Sequence, residues 1–92
     1  MSMFEIKNRF DGSVLFSLEC ETFKECFQAY VRDQVAKGER CGPVCIINED
    51  LSGVSFANSR FVNSRFVNSS FVGSSFVNSR FVNSRFVNSR FV

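Results

Sequence analysis

The residues best suited to chemistry in this 92-residue chain are four cysteines, Cys20, Cys26, Cys41 and Cys45, and a run of regularly placed serines and arginines. The cysteines are spaced C-x5-C and C-x3-C, and the chain holds no histidine. Zinc sites use closer cysteine pairs, commonly completed by histidine, so the spacing predicts no metal site. Reduced, buried thiols are the preferred reading. The thiols and the repeated serines lack a base partner, which leaves nucleophilic catalysis without its second member. No glycine motif that would cradle a phosphate occurs. The acidic pair Glu49 and Asp50 reads as a solvated turn. The expectation is a non-enzymatic chain with no catalytic residue, metal, cofactor or small-molecule substrate.

Charge is divided unevenly. Residues 1–53 carry six Lys/Arg and nine Asp/Glu, whereas residues 54–92 carry five Arg and no acid. Arg60, Arg65, Arg80, Arg85 and Arg90 on a rigid face can neutralise phosphates at regular spacing. Binding of nucleic acid or another polyanion is therefore one reading of the basic half. It is not the favoured one, because arginine also serves to keep an apolar exterior soluble.

The elements that position these residues follow from one periodicity. Phe56, Phe61, Phe66, Phe71, Phe76, Phe81, Phe86 and Phe91 recur every five residues, and Leu51 extends the series upstream. Five residues of α-helix turn about 500°, so successive Phe would drift around the axis. Five residues of flat strand would put successive Phe on opposite faces. Burying every Phe together requires the chain to change direction at each unit. Four such turns make a layer of about 20 residues, stacked on the next at the ladder spacing of about 4.8 Å. Phe56 then lies under Phe76, Phe61 under Phe81, Phe66 under Phe86 and Phe71 under Phe91. The same offset pairs Asn58 with Asn78, Asn63 with Asn83 and Asn68 with Asn88 as amide ladders, and stacks Arg60 under Arg80 and Arg65 under Arg85. Ser70, Gly73 and Ser75 break the pattern in mid-array.

The unit Ser-Arg-Phe-Val-Asn resembles that of the pentapeptide-repeat family, which has Leu or Phe at its centre and a small residue two positions before. Ser59, Ser64, Ser69, Ser74, Ser79, Ser84 and Ser89 fill the small position, with Val54 serving Phe56. The resemblance covers residues 51–92 and implies a mainly β fold: a right-handed, four-sided parallel β-helix, a solenoid of about two coils. In that geometry Val62, Val67, Val72, Val77, Val82, Val87 and Val92 point outward as an apolar ladder. Some family members mimic DNA and bind type II topoisomerases. That mimicry is acidic, and this repeat region is basic, so modulation of a topoisomerase is a remote alternative.

Residues 1–40 are expected to form a hairpin and a helix that cap the repeat. Phe4, Ile6 and Asn8, then Val14, Phe16, Leu18 and Cys20, alternate with polar residues. A three-residue loop, Phe10-Asp11-Gly12 with Gly12 left-handed, pairs Ile6 with Phe16 and Phe4 with Leu18. Residues 22–37 read as an amphipathic helix, opened by a Thr22/Glu25 capping box and closed by Gly38. Phe23, Cys26, Phe27, Tyr30, Val31 and Val35 line its apolar face. The opening segment resembles one found ahead of pentapeptide repeats in some phage and bacterial proteins. Residues 41–50 connect the two parts, with a turn at Gly42-Pro43 and the first irregular coil at Val44, Ile46 and Ile47.

The sequence stops one residue after a core Phe, and a repeat array needs capped ends. The favoured reading is a structural or interaction module that self-associates through Phe86, Val87, Phe91 and Val92. A twofold dimer is preferred to a filament, because the hairpin and helix would block the other end. No signal peptide and no membrane-spanning run are apparent, so a cytoplasmic location without membrane attachment is expected.

Overall fold

A computed structural model describes residues 1–91. The chain opens with two antiparallel strands, β1 (Ser2–Lys7) and β2 (Val14–Cys20), followed by helix α1 (Phe23–Lys37). Five strands of three residues follow: β3 (Cys45–Ile47), β4 (Arg60–Val62), β5 (Arg65–Val67), β6 (Arg80–Val82) and β7 (Arg85–Val87).

The hairpin pairs Ile6 with Phe16 and Phe4 with Leu18, as alternation requires. Its connection is longer than expected. Lys7 pairs with Val14 through an irregularity after Ile6, and Asn8 to Ser13 form the loop. Asn8 Oδ1 accepts from the amides of Phe10 and Asp11, and Gly12 takes the left-handed conformation at φ 76°. Thr22 caps α1 by accepting from the Glu25 amide at 3.2 Å, and Gly38 ends it at φ 70°. The helix buries Cys26, Phe27, Tyr30 and Val31 against the hairpin and the repeat.

In the repeat, every pairing joins residues twenty positions apart in parallel. Cys45–Ile47 pairs with Arg65–Val67, which pairs with Arg85–Val87, and Arg60–Val62 pairs with Arg80–Val82. Isolated bridges join Cys41 to Phe61, Asp50 to Ser70, Ser55 to Ser75 and Ser70 to Arg90. The Phe rings stack in the same register. Phe56/Phe76, Phe61/Phe81, Phe66/Phe86 and Phe71/Phe91 lie 5.0–5.2 Å apart at 1–12°. Within residues 41–50, Cys41 lies beneath Phe61 and Ile46 beneath Phe66, both buried.

The expectation of a mainly β, four-sided β-helix is corrected. The strands fall into a two-stranded antiparallel sheet, a three-stranded parallel sheet (β3-β5-β7) and a two-stranded parallel sheet (β4-β6). None of these closes or curls strongly, and the fold is mixed α/β, so the terms β-helix and solenoid do not apply. The physical reason lies in the turns. Continuous ladders form only where units extend, at 45–47, 60–62, 65–67, 80–82 and 85–87. The units at 51–54, 56–59, 71–74 and 76–79 are instead closed by hydrogen bonds between residues three apart, such as the Val54 amide to the Leu51 carbonyl at 3.1 Å. Those turns leave room for single bridges only.

Asparagine plays a different part from the expected amide ladder. Asn48, Asn58, Asn63, Asn68, Asn78, Asn83 and Asn88 all have positive φ, from 48° to 62°. Asparagine is one of the few non-glycine residues that adopts this region readily. Gly53 and Gly73 occupy the same position at φ 76° and 73°, one above the other. The break at Gly73 is therefore a second solution to the same turn.

Candidate interaction surfaces

The repeated serines are committed to backbone. Ser64 Oγ donates to the Val62 carbonyl at 3.1 Å and accepts from the Val44 amide in the layer below at 3.1 Å. Ser69 repeats this with Val67 and Glu49, and the Ser64 and Ser69 amides donate in turn to Ser84 and Ser89 Oγ. Ser59 and Ser79 donate to the carbonyls of Phe56 and Phe76. Each buried hydroxyl thus satisfies polar backbone that would otherwise be orphaned.

Helix α1 seals one end of the stack. Phe27 is fully buried and touches three repeat rings, Phe56, Phe61 and Phe66, at 6.0–6.2 Å. Its ring lies nearly flat beneath Phe61 at 15°, in the space left by the small side chain of Cys41. Gln28 meets both backbone groups of Ser55, accepting from its amide at 2.8 Å and donating to its carbonyl at 3.2 Å. The Tyr30 hydroxyl accepts from the Gly42 amide at 2.8 Å.

The other end of the stack is apolar and more open. Leu51, Phe56, Phe61, Phe66 and Phe71 are at most 1% exposed. Phe76, Phe81 and Phe86 are only partly buried, and Phe91 is 44% exposed. Of the residues expected to self-associate, Phe86 and Phe91 lie on this end face with rings 5.2 Å apart, and Val87 is half-buried on an outer side. Val92 lies outside the described residues. Phe76 and Phe81 share the face, although they precede the last two units of the chain. Among the outer valines, Val72, Val77 and Val82 are exposed, and Val62 and Val67 are half-buried.

The arginines do not share one face. Arg60 and Arg80 form one column, and Arg65 and Arg85 form a second on the neighbouring sheet. Arg90 stands apart, above Ser70 and Asp50. Two further arginines join the first group: Arg40 is exposed beside the Cys41–Phe61 bridge, and Arg9 Nη1 donates to the Asn63 carbonyl at 3.1 Å. Arg40 stands twenty residues before Arg60, at the same place in the period, a signal masked because Cys41 replaces Phe; Arg9 precedes the repeat and periodicity could not find it.

The cysteines are free, with Cys20, Cys26 and Cys41 buried and Cys45 exposed. Among the described residues no group of three or more His, Cys, Asp or Glu could hold a metal, and no helix is long and apolar enough to cross a membrane. Burial pushes the Cys26 thiol up to about 11 and the Cys41 thiol to about 12. At neutral pH a brief maleimide exposure of the native protein is expected to label Cys45 alone, read by peptide mass spectrometry. Comparable labelling of Cys26 or Cys41 would contradict the packing. An unfolded thiol ionises near its ordinary value of 9.0. Both buried thiols hold their protons above that pH, so their contribution to stability is constant below about 9 and falls as pH rises towards 12.

Residues 50–88 match pentapeptide repeats, in eight copies. The match covers less than half of the chain and leaves the hairpin and helix outside it, so the resemblance is partial, and the four-sided fold it implied is the part overturned above. No curated protein and no solved structure matches the chain. The serines and phenylalanines of the repeat segment are given over to hydrogen bonding and packing, consistent with a structural module.

Proposed function

We propose that this module is a self-associating scaffold, joining a second copy through the end face of Phe76, Phe81, Phe86 and Phe91. The observation that carries the reading is the gradient of burial along the stack: Phe71 is 1% exposed and Phe91, stacked on it, is 44% exposed. The exposed rings match those they already stack on, so a second copy offers a complementary surface. The opposite end is covered by α1 through Phe27 and Gln28. With one end sealed, association about a twofold axis closes as a dimer and does not propagate.

Light scattering across a dilution series tests this, on the full chain and on Phe91→Lys, with circular dichroism confirming that the variant is folded. The expected result is a dimer that Phe91→Lys converts to monomer. A monomer throughout the series, or a dimer unaffected by the substitution, would refute the reading.

A further inference from the structure

We propose that the two strand-bearing sides of the repeat bind the phosphate backbone of duplex nucleic acid, without reading its sequence. Six of the eight arginines gather there. Arg60 pairs with Arg80 and Arg65 with Arg85 in register, at the ladder spacing of about 4.8 Å. Arg40 lies beside the start of the first column, and Arg9 reaches the corner between the columns at the Asn63 carbonyl.

These charges are uncompensated. Among the described residues the ion pairs are Lys7–Glu5, Lys24–Asp50 and Lys37–Asp33, all made by lysine. Glu39 is the acid adjacent to Arg40 in sequence and is exposed, and Glu5, near β3, is engaged with Lys7. Arg65 Nε is buried with no hydrogen-bond partner. Like charges placed directly opposite across a ladder repel. The fold does not require arginine at this position, because Ser55, Ser70 and Ser75 fill it in the units outside the strands and form parallel bridges there. Two columns of repelling cations at a position that accepts serine point to a ligand that neutralises them.

A linear polyanion suits a linear array better than a small anion does. The choice of duplex over single strand rests on the rings. Phe61 and Phe66 are fully buried and Phe81 and Phe86 face the stack, so the strand arginines have no aromatic platform; the one exposed ring nearby among the described residues is Phe10, 4.9 Å from the Arg9 guanidinium, a single ring and not a row on which successive bases could stack. Single-strand binding draws much of its energy from such stacking. A duplex has its bases already stacked and presents phosphates alone. The proposal is independent of end-face association, since the arginines point sideways from the stack.

The test is fluorescence anisotropy with a labelled DNA duplex of about twenty base pairs at about 50 mM salt, repeated at rising salt. Four to six phosphate contacts predict a log–log salt slope of about −4 to −5. Replacing Arg60, Arg65, Arg80 and Arg85 together by Gln is expected to weaken binding at least about a hundredfold at the lower salt. Replacing the same four by Lys preserves charge and is expected to retain most of the affinity, which guards against a glutamine variant that fails to fold. Arg90→Gln is expected to change binding little. The proposal is overturned by absent duplex binding at low salt, by a flat salt response, by loss in the lysine variant, or by equal loss in Arg90→Gln. Tighter binding to a single strand of the same length overturns it too, as does sedimentation with anionic phosphatidylserine vesicles in the absence of duplex binding.

Discussion

Replacing Phe27 by alanine is expected to remove about 3–5 kcal/mol of stability, the usual range for deleting a fully buried aromatic ring. For a chain of this length the total is on the order of 5–14 kcal/mol. The melting temperature should therefore fall by roughly 15–30 °C. The position of the ring explains the size of the effect. Phe27 contacts Phe23 and Tyr30 within the helix and Phe56, Phe61 and Phe66 in the repeat. It is the ring through which α1 and the stack share one core. A second substitution sharpens the test. The place beneath Phe61, filled by another Phe ring in the repeated pairs, falls to Phe27 here because residue 41 is a cysteine. Cys41→Phe should overpack the native protein, yet recover part of the loss when combined with Phe27→Ala. Urea denaturation of the single and double variants measures the coupling. A Phe27→Ala loss under about 1 kcal/mol, or additive effects of the pair, would remove Phe27 from the core assigned to it.

Gly42→Ala should be comparably severe, costing about 2–5 kcal/mol through backbone strain and overpacking. Gly42 has φ 92°, and a Cβ there would press into Ser64 Oγ and lie 2.9 Å from the Val62 carbonyl oxygen. Neither neighbour can give way freely. Ser64 Oγ already accepts from the Val44 amide, and the Gly42 amide is held by Tyr30. Gly53 supplies the control. It also has positive φ, at 76°, but nothing lies within 4 Å of where its Cβ would sit. Gly53→Ala should therefore cost only the strain of a left-handed alanine, about 1–2 kcal/mol. Thermal melts of the two variants side by side distinguish crowding from conformational strain. Equal losses at both sites would mean that φ alone governs them.

The period of five was legible because it rests on identical residues whose burial has one solution. Stacking at an offset of twenty, inward Phe and small Ser all follow from that period, and the structure contains each. The helix was legible for a similar reason: Thr22, Gly38 and the apolar spacing between them are local signals, and α1 runs between those caps. The shape of each side was not legible. Units of nearly the same sequence become strands at 60–62 and hydrogen-bonded turns at 56–59, so sheet formation depends on neighbours in space. That distinction is what removes the expected four-sided sheet structure.

The candidate surfaces divide in the same way. Arg60, Arg65, Arg80, Arg85 and Arg90 were identifiable as a repeated position, but Arg90 falls away from the others; Arg40 continues the Arg60 and Arg80 series upstream, and Arg9 joins them only after folding. Cys41 and Ile46 continue the five-residue spacing upstream of Leu51, a signal hidden by their differing side chains. The sequence by itself determined the repeat offset, the inward residues and the helix limits, because each depends on chain geometry over a few residues. Tertiary structure alone decided that Phe27 completes the stack beneath Phe61, that Asn and Gly serve one left-handed turn, and which arginines share a surface. Those outcomes depend on contacts between segments far apart in the chain, which no local pattern encodes.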